Sequence, residues 1–309
     1  MKAEKNFYKT LATIFVLFVL VCMIANPSKY IQVSLDGISA WAFNVLPSVL
    51  PFMFFTRLLS SLDIMPRLTA PFKHFSTTLF KTPPVSIYAF LMAILSGYPV
   101  GSKMVADLYL QGKITKQDAF KMSSFCSTSG PMFIVGAVGV GMFNSPKIGY
   151  ILFISHILGA ILNGLAFRNY KIKEETQDYE PPKEQKFDLS DLVTNSTLSI
   201  LSVGCIITIF FIIIDCFTPL ISFLPDGIEF FVKGLIEITK GCLDLSTLSN
   251  TSLATILASF VISFGGISTV LQSLTMLAKL KMPTKFFIFQ KLLHATFSGL
   301  TTFLLVLIV

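Results

Sequence analysis

Three short polar stretches interrupt long apolar ones, and they hold most of the residues able to do chemistry. The first is Ser96-Gly97-Tyr98-Pro99-Val100-Gly101-Ser102-Lys103. The second is Ser127-Thr128-Ser129-Gly130-Pro131. The third is Ser263-Phe264-Gly265-Gly266-Ile267-Ser268, followed by Gln272. In lipid, backbone N–H and C=O groups freed by such breaks are tolerated only where protein or a watery cavity satisfies them. In transporters, broken segments of this kind hold substrate. The helix that resumes after a break presents unpaired N–H groups and the positive end of its dipole, which suits an anionic group. Glycines let a ligand approach the backbone, and serine hydroxyls donate or accept. These features predict a substrate site with Ser96, Gly97, Pro99, Gly101, Ser102, Ser127, Ser129 and Gly130 in one half. They would face Ser263, Gly265, Gly266, Ser268 and Gln272 in the other. For any single Gly or Ser, close helix packing is the competing reading.

Two ionisable residues stand out beside the breaks. Lys103 can hold a substrate carboxylate or snorkel to the membrane surface. Glu237 can couple to H+ or Na+, bind a polar group of the solute, or pair with Lys233 or Lys240 on an interfacial helix. Asp215, Lys291 and His294 lie in or near apolar segments, the last two about one turn apart. His74, His156 and His294 share no motif, and the five cysteines lack ligand spacing, so no metal or other cofactor is expected. The spans show no nucleophile–base pair or metal cluster on which an enzyme reading could rest. The net charge of +7 comes without a basic stripe interleaved with aromatics, so nucleic acid is not an expected partner.

The elements that must position these residues are membrane helices. Of 309 residues, 53% are hydrophobic and only 13% charged, and the mean hydropathy is +0.73. Soluble domains are nearer a quarter charged. The expected fold is therefore an all-α, multi-pass protein with the lipid bilayer as a partner. Full spans are expected over 8–25, 40–62, 119–143 (broken), 149–167, 192–216 and 286–309. Residues 85–110 and 252–280 read as re-entrant helical hairpins, giving six full spans plus two hairpins. Residues 227–241 read as an interfacial helix, and 168–191, with Pro181-Pro182, as a solvated linker. The implied organisation is an N-terminal helix and loop (1–39), a first repeat (40–143), a connecting helix and charged linker (144–191) and a second repeat (192–309).

Spacing suggests duplication. Gly97 and Gly265 are 168 residues apart, as are Lys113-Ile114 and Lys281-Met282, while Ser129-Gly130 and Ser298-Gly299 are 169 apart. Three spans separate the expected hairpins, so the two halves would be inverted, with a site where the hairpin tips meet. Placing both termini in the cytoplasm puts 16 Lys and Arg in inner segments against 7 in outer ones. The sequence is compatible with a homo-oligomer.

Several motifs carry a family resemblance. They are Leu46-Pro47-Ser48-Val49-Leu50-Pro51-Phe52, Ser96 to Lys103, Ser129-Gly130-Pro131-Met132-Phe133-Ile134-Val135-Gly136-Ala137-Val138, Glu237-Ile238-Thr239-Lys240-Gly241, and Ser263 to Ser268. Together they resemble the YlbJ family of sporulation integral membrane proteins, within the nucleoside-recognition Gate superfamily. The resemblance implies a relation to the core of concentrative nucleoside transporters. For the sporulation members it implies movement of dipicolinic acid across the outer forespore membrane. A small aromatic dianion also suits helix N-termini and a lysine. Ser129-Gly130-Pro131 departs from the asparagine- or serine-rich break expected of the sporulation proteins. The reading is a transporter of a small anionic solute in the bacterial cytoplasmic or outer forespore membrane. The alternatives are a transporter of nucleosides or another small metabolite, or a non-transporting protein of spore envelope or cortex assembly.

Overall fold

The computed structural model describes residues 2–61, 67, 70–172 and 189–308, and every regular element among them is helical. The central part of the expected linker, including Pro181-Pro182, lies outside the described residues. Among the described residues, five helical runs are long and apolar enough to cross a membrane: Pro27–Phe55, Pro146–Phe167, Leu192–Leu220, Thr251–Met276 and Thr284–Ile308. The protein is an integral membrane protein.

The chain begins with α1 (Lys2–Ala25), whose apolar part is only Lys9–Ala25. The next span starts at Pro27, well before the expected residue 40. α2 (Pro27–Ala40) runs through a π-helical turn, Trp41–Val45, into α3 (Leu46–Ser61). Pro27 suits the first turn of a helix, where its missing N–H costs nothing. A short segment, Ala70–Phe80, then meets α4 (Val85–Ser96) at a bend of 99°.

After Gly97 the chain turns back into α5 (Val100–Leu110). Gly97 has φ +72, a conformation that favours glycine. A Cβ on Gly101 would overlap the Ala93 side chain and the Cys126 carbonyl oxygen. The turn is therefore tight because Gly101 has no side chain. α6 (Lys116–Cys126) starts at a capping box in which Thr115 and Asp118 satisfy each other's backbone N–H. After residues 127–131 the chain resumes as a π-helix, Met132–Met142. α7 (Pro146–Phe167) and α8 (Leu189–Phe217) follow.

The second half differs from the expected arrangement. The stretch read as an interfacial helix forms α9 (Asp226–Ile236) and α10 (Ile238–Leu245), joined only by Glu237 and packed on each other. Gly234 and Gly241 meet backbone to backbone, and a Cβ on Gly241 would collide with the Gly234 Cα. The charges on this pair neutralise one another: Lys233 lies 2.6 Å from Glu229 and 3.7 Å from Asp244, and Lys240 also pairs with Asp244. A segment that looks too charged to be buried is made buriable in this way.

Residues 252–280, expected to be the second hairpin, instead contain α11 (Thr251–Phe264) and α12 (Gly266–Met276). These continue each other across Gly265 as one run long enough to span. Gly97 therefore sits at a turn between paired helices, whereas Gly265 interrupts a spanning one. The spacing of 168 residues matches two different kinds of break. α13 (Thr284–Ile308) closes the described chain and packs against α7 and α11.

Candidate functional site

The tips of the two packed helix pairs and the breaks of the two interrupted helices converge on one cavity. It encloses about 760 Å³ of empty space, counting its open mouth. Ser96, Gly97 and Tyr98 enter from the α4–α5 turn, Glu237, Ile238 and Thr239 from the α9–α10 turn. Ser129 and Gly130 come from the α6 break, and Ser268, Thr269 and Gln272 from the start of α12. The remaining wall is apolar, with Val49, Phe52 and Met53 of α3, Phe133 of the π-helix, and Val203 and Ile207 of α8. A mostly apolar cleft with a few convergent polar groups is the usual form of a small-molecule site.

Seven sequence-predicted residues line this cavity: Ser96, Gly97, Ser129, Gly130, Glu237, Ser268 and Gln272. The others serve the framework around it. Pro99 is the N-cap of α5 and Gly101 the packing point of its turn. Ser102 is buried on α5, outside the cavity lining. Gly265 and Gly266, at φ +95 and +64, let α12 begin against the second pair's turn, where a Cβ on Gly266 would press on the Ile236 carbonyl. Ser127 and Ser263 lie outside the cavity lining, where the Ser127 carbonyl and the Ser263 hydroxyl are hydrogen-bonded. Lys103 is exposed and pairs with Asp107 at 2.8 Å one turn along its own helix. It has snorkelled outward and does not face the cavity.

Glu237 is the charged side chain in the cavity wall among the described residues. It is 3% exposed, and its Oε2 accepts the Lys240 backbone N–H at 2.7 Å, capping α10. Its expected lysine partners are both taken by other acids, so the carboxylate serves its own helix end.

A buried polar layer behind the cavity satisfies the groups freed by the breaks. His156 of α7 accepts the Ser129 backbone N–H on Nε2 at 2.8 Å. Its other ring nitrogen must then carry the proton and donate to the Ser263 Oγ, also at 2.8 Å. One imidazole thus ties the two broken helices together. His294 donates from Nε2 to the His156 carbonyl at 3.0 Å, and the two rings lie 4.7 Å apart. Lys291 donates to the Ser127 carbonyl at 2.8 Å and to the Tyr98 hydroxyl at 2.6 Å. The Tyr98 hydroxyl in turn faces the carbonyls of Ser263 and Ile262 at 3.3 and 3.4 Å. The His156–Ser263 pair has the look of a base beside a nucleophile. Ser263 is fully buried and outside the cavity wall, and His156 is oriented by a backbone amide, so the pair holds structure.

Sequence reasoning missed Tyr98 and His156 as parts of this assembly. Tyr98 lies inside the first quoted motif, where only its small neighbours drew attention. His156 has no local signal, because its partners are 27 and 107 residues away.

A second, more polar cavity is lined by Asp36, Asn44, Asp215, Lys233 and Lys240. Between the two cavities lies an apolar layer of Ala40, Val45, Ile207 and Phe211, which contributes to the walls of both.

Residues 42–146 match the family model described as Gate, nucleoside recognition. The chain is 29% identical to the sporulation integral membrane protein YlbJ of Bacillus subtilis (strain 168), over 94% of this chain and 81% of that protein. No solved structure matches the chain. The resemblance read from the motifs is thus borne out: residues 42–146 match the nucleoside-recognition Gate model, and the chain is similar along nearly its whole length to YlbJ.

Proposed function

We propose that the protein carries a small polar solute across the membrane, bound between the two helix-pair turns. The observation that carries this reading is the convergence of both turns and both helix breaks on one partly open cavity. Broken helices meeting near mid-depth are the arrangement by which secondary transporters hold substrate. The apolar layer of Val45, Ile207 and Phe211 supports it further, because a transporter needs a barrier between its site and one aqueous side. The halves are proposed to be inverted repeats in a revised register. The helix N-caps Thr115 and Asn250, and the breaks at Gly130 and Gly265, are each 135 residues apart. Both termini are proposed to be cytoplasmic.

For the solute, similarity to YlbJ, named as a sporulation protein, supports a small aromatic dicarboxylate of the dipicolinate kind. Lys291, one tyrosine away from the cavity, would favour an anion there when it carries its proton. A second reading, a neutral nucleoside-like solute, is favoured by Glu237, an acceptor that suits ribose hydroxyls or a base N–H. Uptake of labelled dipicolinate and of uridine by proteoliposomes decides between them. Glu237→Gln is expected to cut uridine uptake at least tenfold if the solute is neutral. It is expected to leave dipicolinate uptake equal or higher if the solute is anionic. Uptake of neither probe removes the transport reading.

A further inference from the structure

Lys291 is a buried amine with no acid beside it. Only 2% of it is exposed, and no Asp or Glu among the described residues pairs with it. An ammonium held in this way is costly unless other groups offset its charge. The groups that do so here are the ends of two interrupted helices. The Ser127 carbonyl follows the end of α6, and the carbonyls of Ile262 and Ser263 belong to the last turn of α11. Such carbonyls have no helical partner further on, and they mark the negative ends of the two dipoles. Lys291 reaches the first directly and the other two through the Tyr98 hydroxyl, which accepts from the ammonium and donates onward. The Tyr98 ring, 4.5 Å from the Nζ, adds a π face. Tyr98 also lines the cavity, so the ammonium lies one side chain behind the solute.

In broken-helix transporters, half-helix C-terminal carbonyls are where a coupling cation is coordinated. We propose that Lys291 is held here as its ammonium and is a built-in substitute for such an ion. It locks both helix breaks and the first turn beneath the cavity, so the site assembles without an alkali-metal co-ion. The inference rests on the transport reading but makes a claim about folding and ion dependence that is tested separately.

The experiment compares thermal unfolding of the full-length protein in detergent, in equimolar NaCl, KCl and choline chloride. Wild type is expected to unfold at one midpoint in all three salts. Lys291→Met keeps the bulk and removes the cation, leaving the Ser127 carbonyl and the Tyr98 hydroxyl oxygen short of a donor. Its midpoint is expected to fall by roughly 3–10 °C in choline chloride. Lys291→Ala is expected to regain stability with n-propylammonium, which can refill the vacated space, and not with tetramethylammonium, which cannot donate. A saturable rise of the wild-type midpoint with Na+ or K+ overturns the proposal, as does Lys291→Met unfolding like wild type in every salt. If neither variant folds, the wild-type salt comparison still decides. In proteoliposomes, wild-type uptake of dipicolinate or uridine is expected to be equal in sodium and choline media. Absence of all uptake counts against transport alone. Uptake that requires Na+ or K+ counts against the built-in cation alone.

Discussion

The two helix-pair turns do similar jobs by opposite means. At the second turn, everything needed lies within a few residues. Glu237 caps the helix it precedes, Glu229 and Lys233 pair across one turn of α9, and Lys240 and Asp244 across one turn of α10. At the first turn and the break behind it, the support is remote. Lys291 serves Ser127 from 164 positions away and Tyr98 from 193, and His156 serves the Ser129 backbone N–H from 27. A self-contained turn can move as a unit, because its polar groups stay satisfied wherever it goes. A turn held by distant side chains can move only by breaking those bonds or carrying the partner helices along. If the proposed transport cycle moves one of the two pairs, the comparison favours the α9–α10 pair, with the α4–α5 pair part of the scaffold.

The strongest way to break that contrast lies where the two turns are alike. Both depend on a glycine contact, so Gly101→Val and Gly241→Val are each expected to destabilise by about 3 kcal/mol or more through overpacking. Thermal unfolding in detergent checks this, and a tolerated Gly241→Val would show that α9 and α10 are not packed as described. His156→Ala sharpens the contrast. It leaves the Ser129 N–H and the Ser263 hydroxyl without their partner, at a cost of about 2–3 kcal/mol. His156→Gln, which can both accept and donate, is expected to recover part of that loss. If His156→Ala and Asp244→Asn lower the midpoint equally, the remote and local supports are energetically alike and the scaffold assignment fails. The smallest effect is expected at Lys103. Its ion pair with Asp107 is solvent-exposed, so Lys103→Gln should change stability by less than about 0.5 kcal/mol and leave solute uptake unchanged.

The same contrast explains what was legible in the chain. The first turn was visible because Gly97, Pro99 and Gly101 break an apolar run over a few residues. The α6 break was visible in Ser127 to Pro131 for the same reason. Glu237 stood out as an acid at membrane depth, although its cap was not foreseen. The second pair was misread because its alternating charges look like a wet helix face. Only the fold shows that Glu229, Lys233, Lys240 and Asp244 neutralise one another. Gly265-Gly266 looked like a second turn because two glycines mark a break without stating its angle.

By itself, the sequence determined a multi-pass helical membrane protein, the places where its helices break, and the small polar residues exposed there. Those properties follow from apolar run length and local backbone chemistry, and both are written in neighbouring residues. Only the tertiary structure decided which breaks reverse the chain, which of them share a cavity, and that Lys291 and His156 stand behind it. In lipid, every freed backbone group must find a partner inside the protein. That partner can come from any helix that packs alongside, so its identity is a property of the packing.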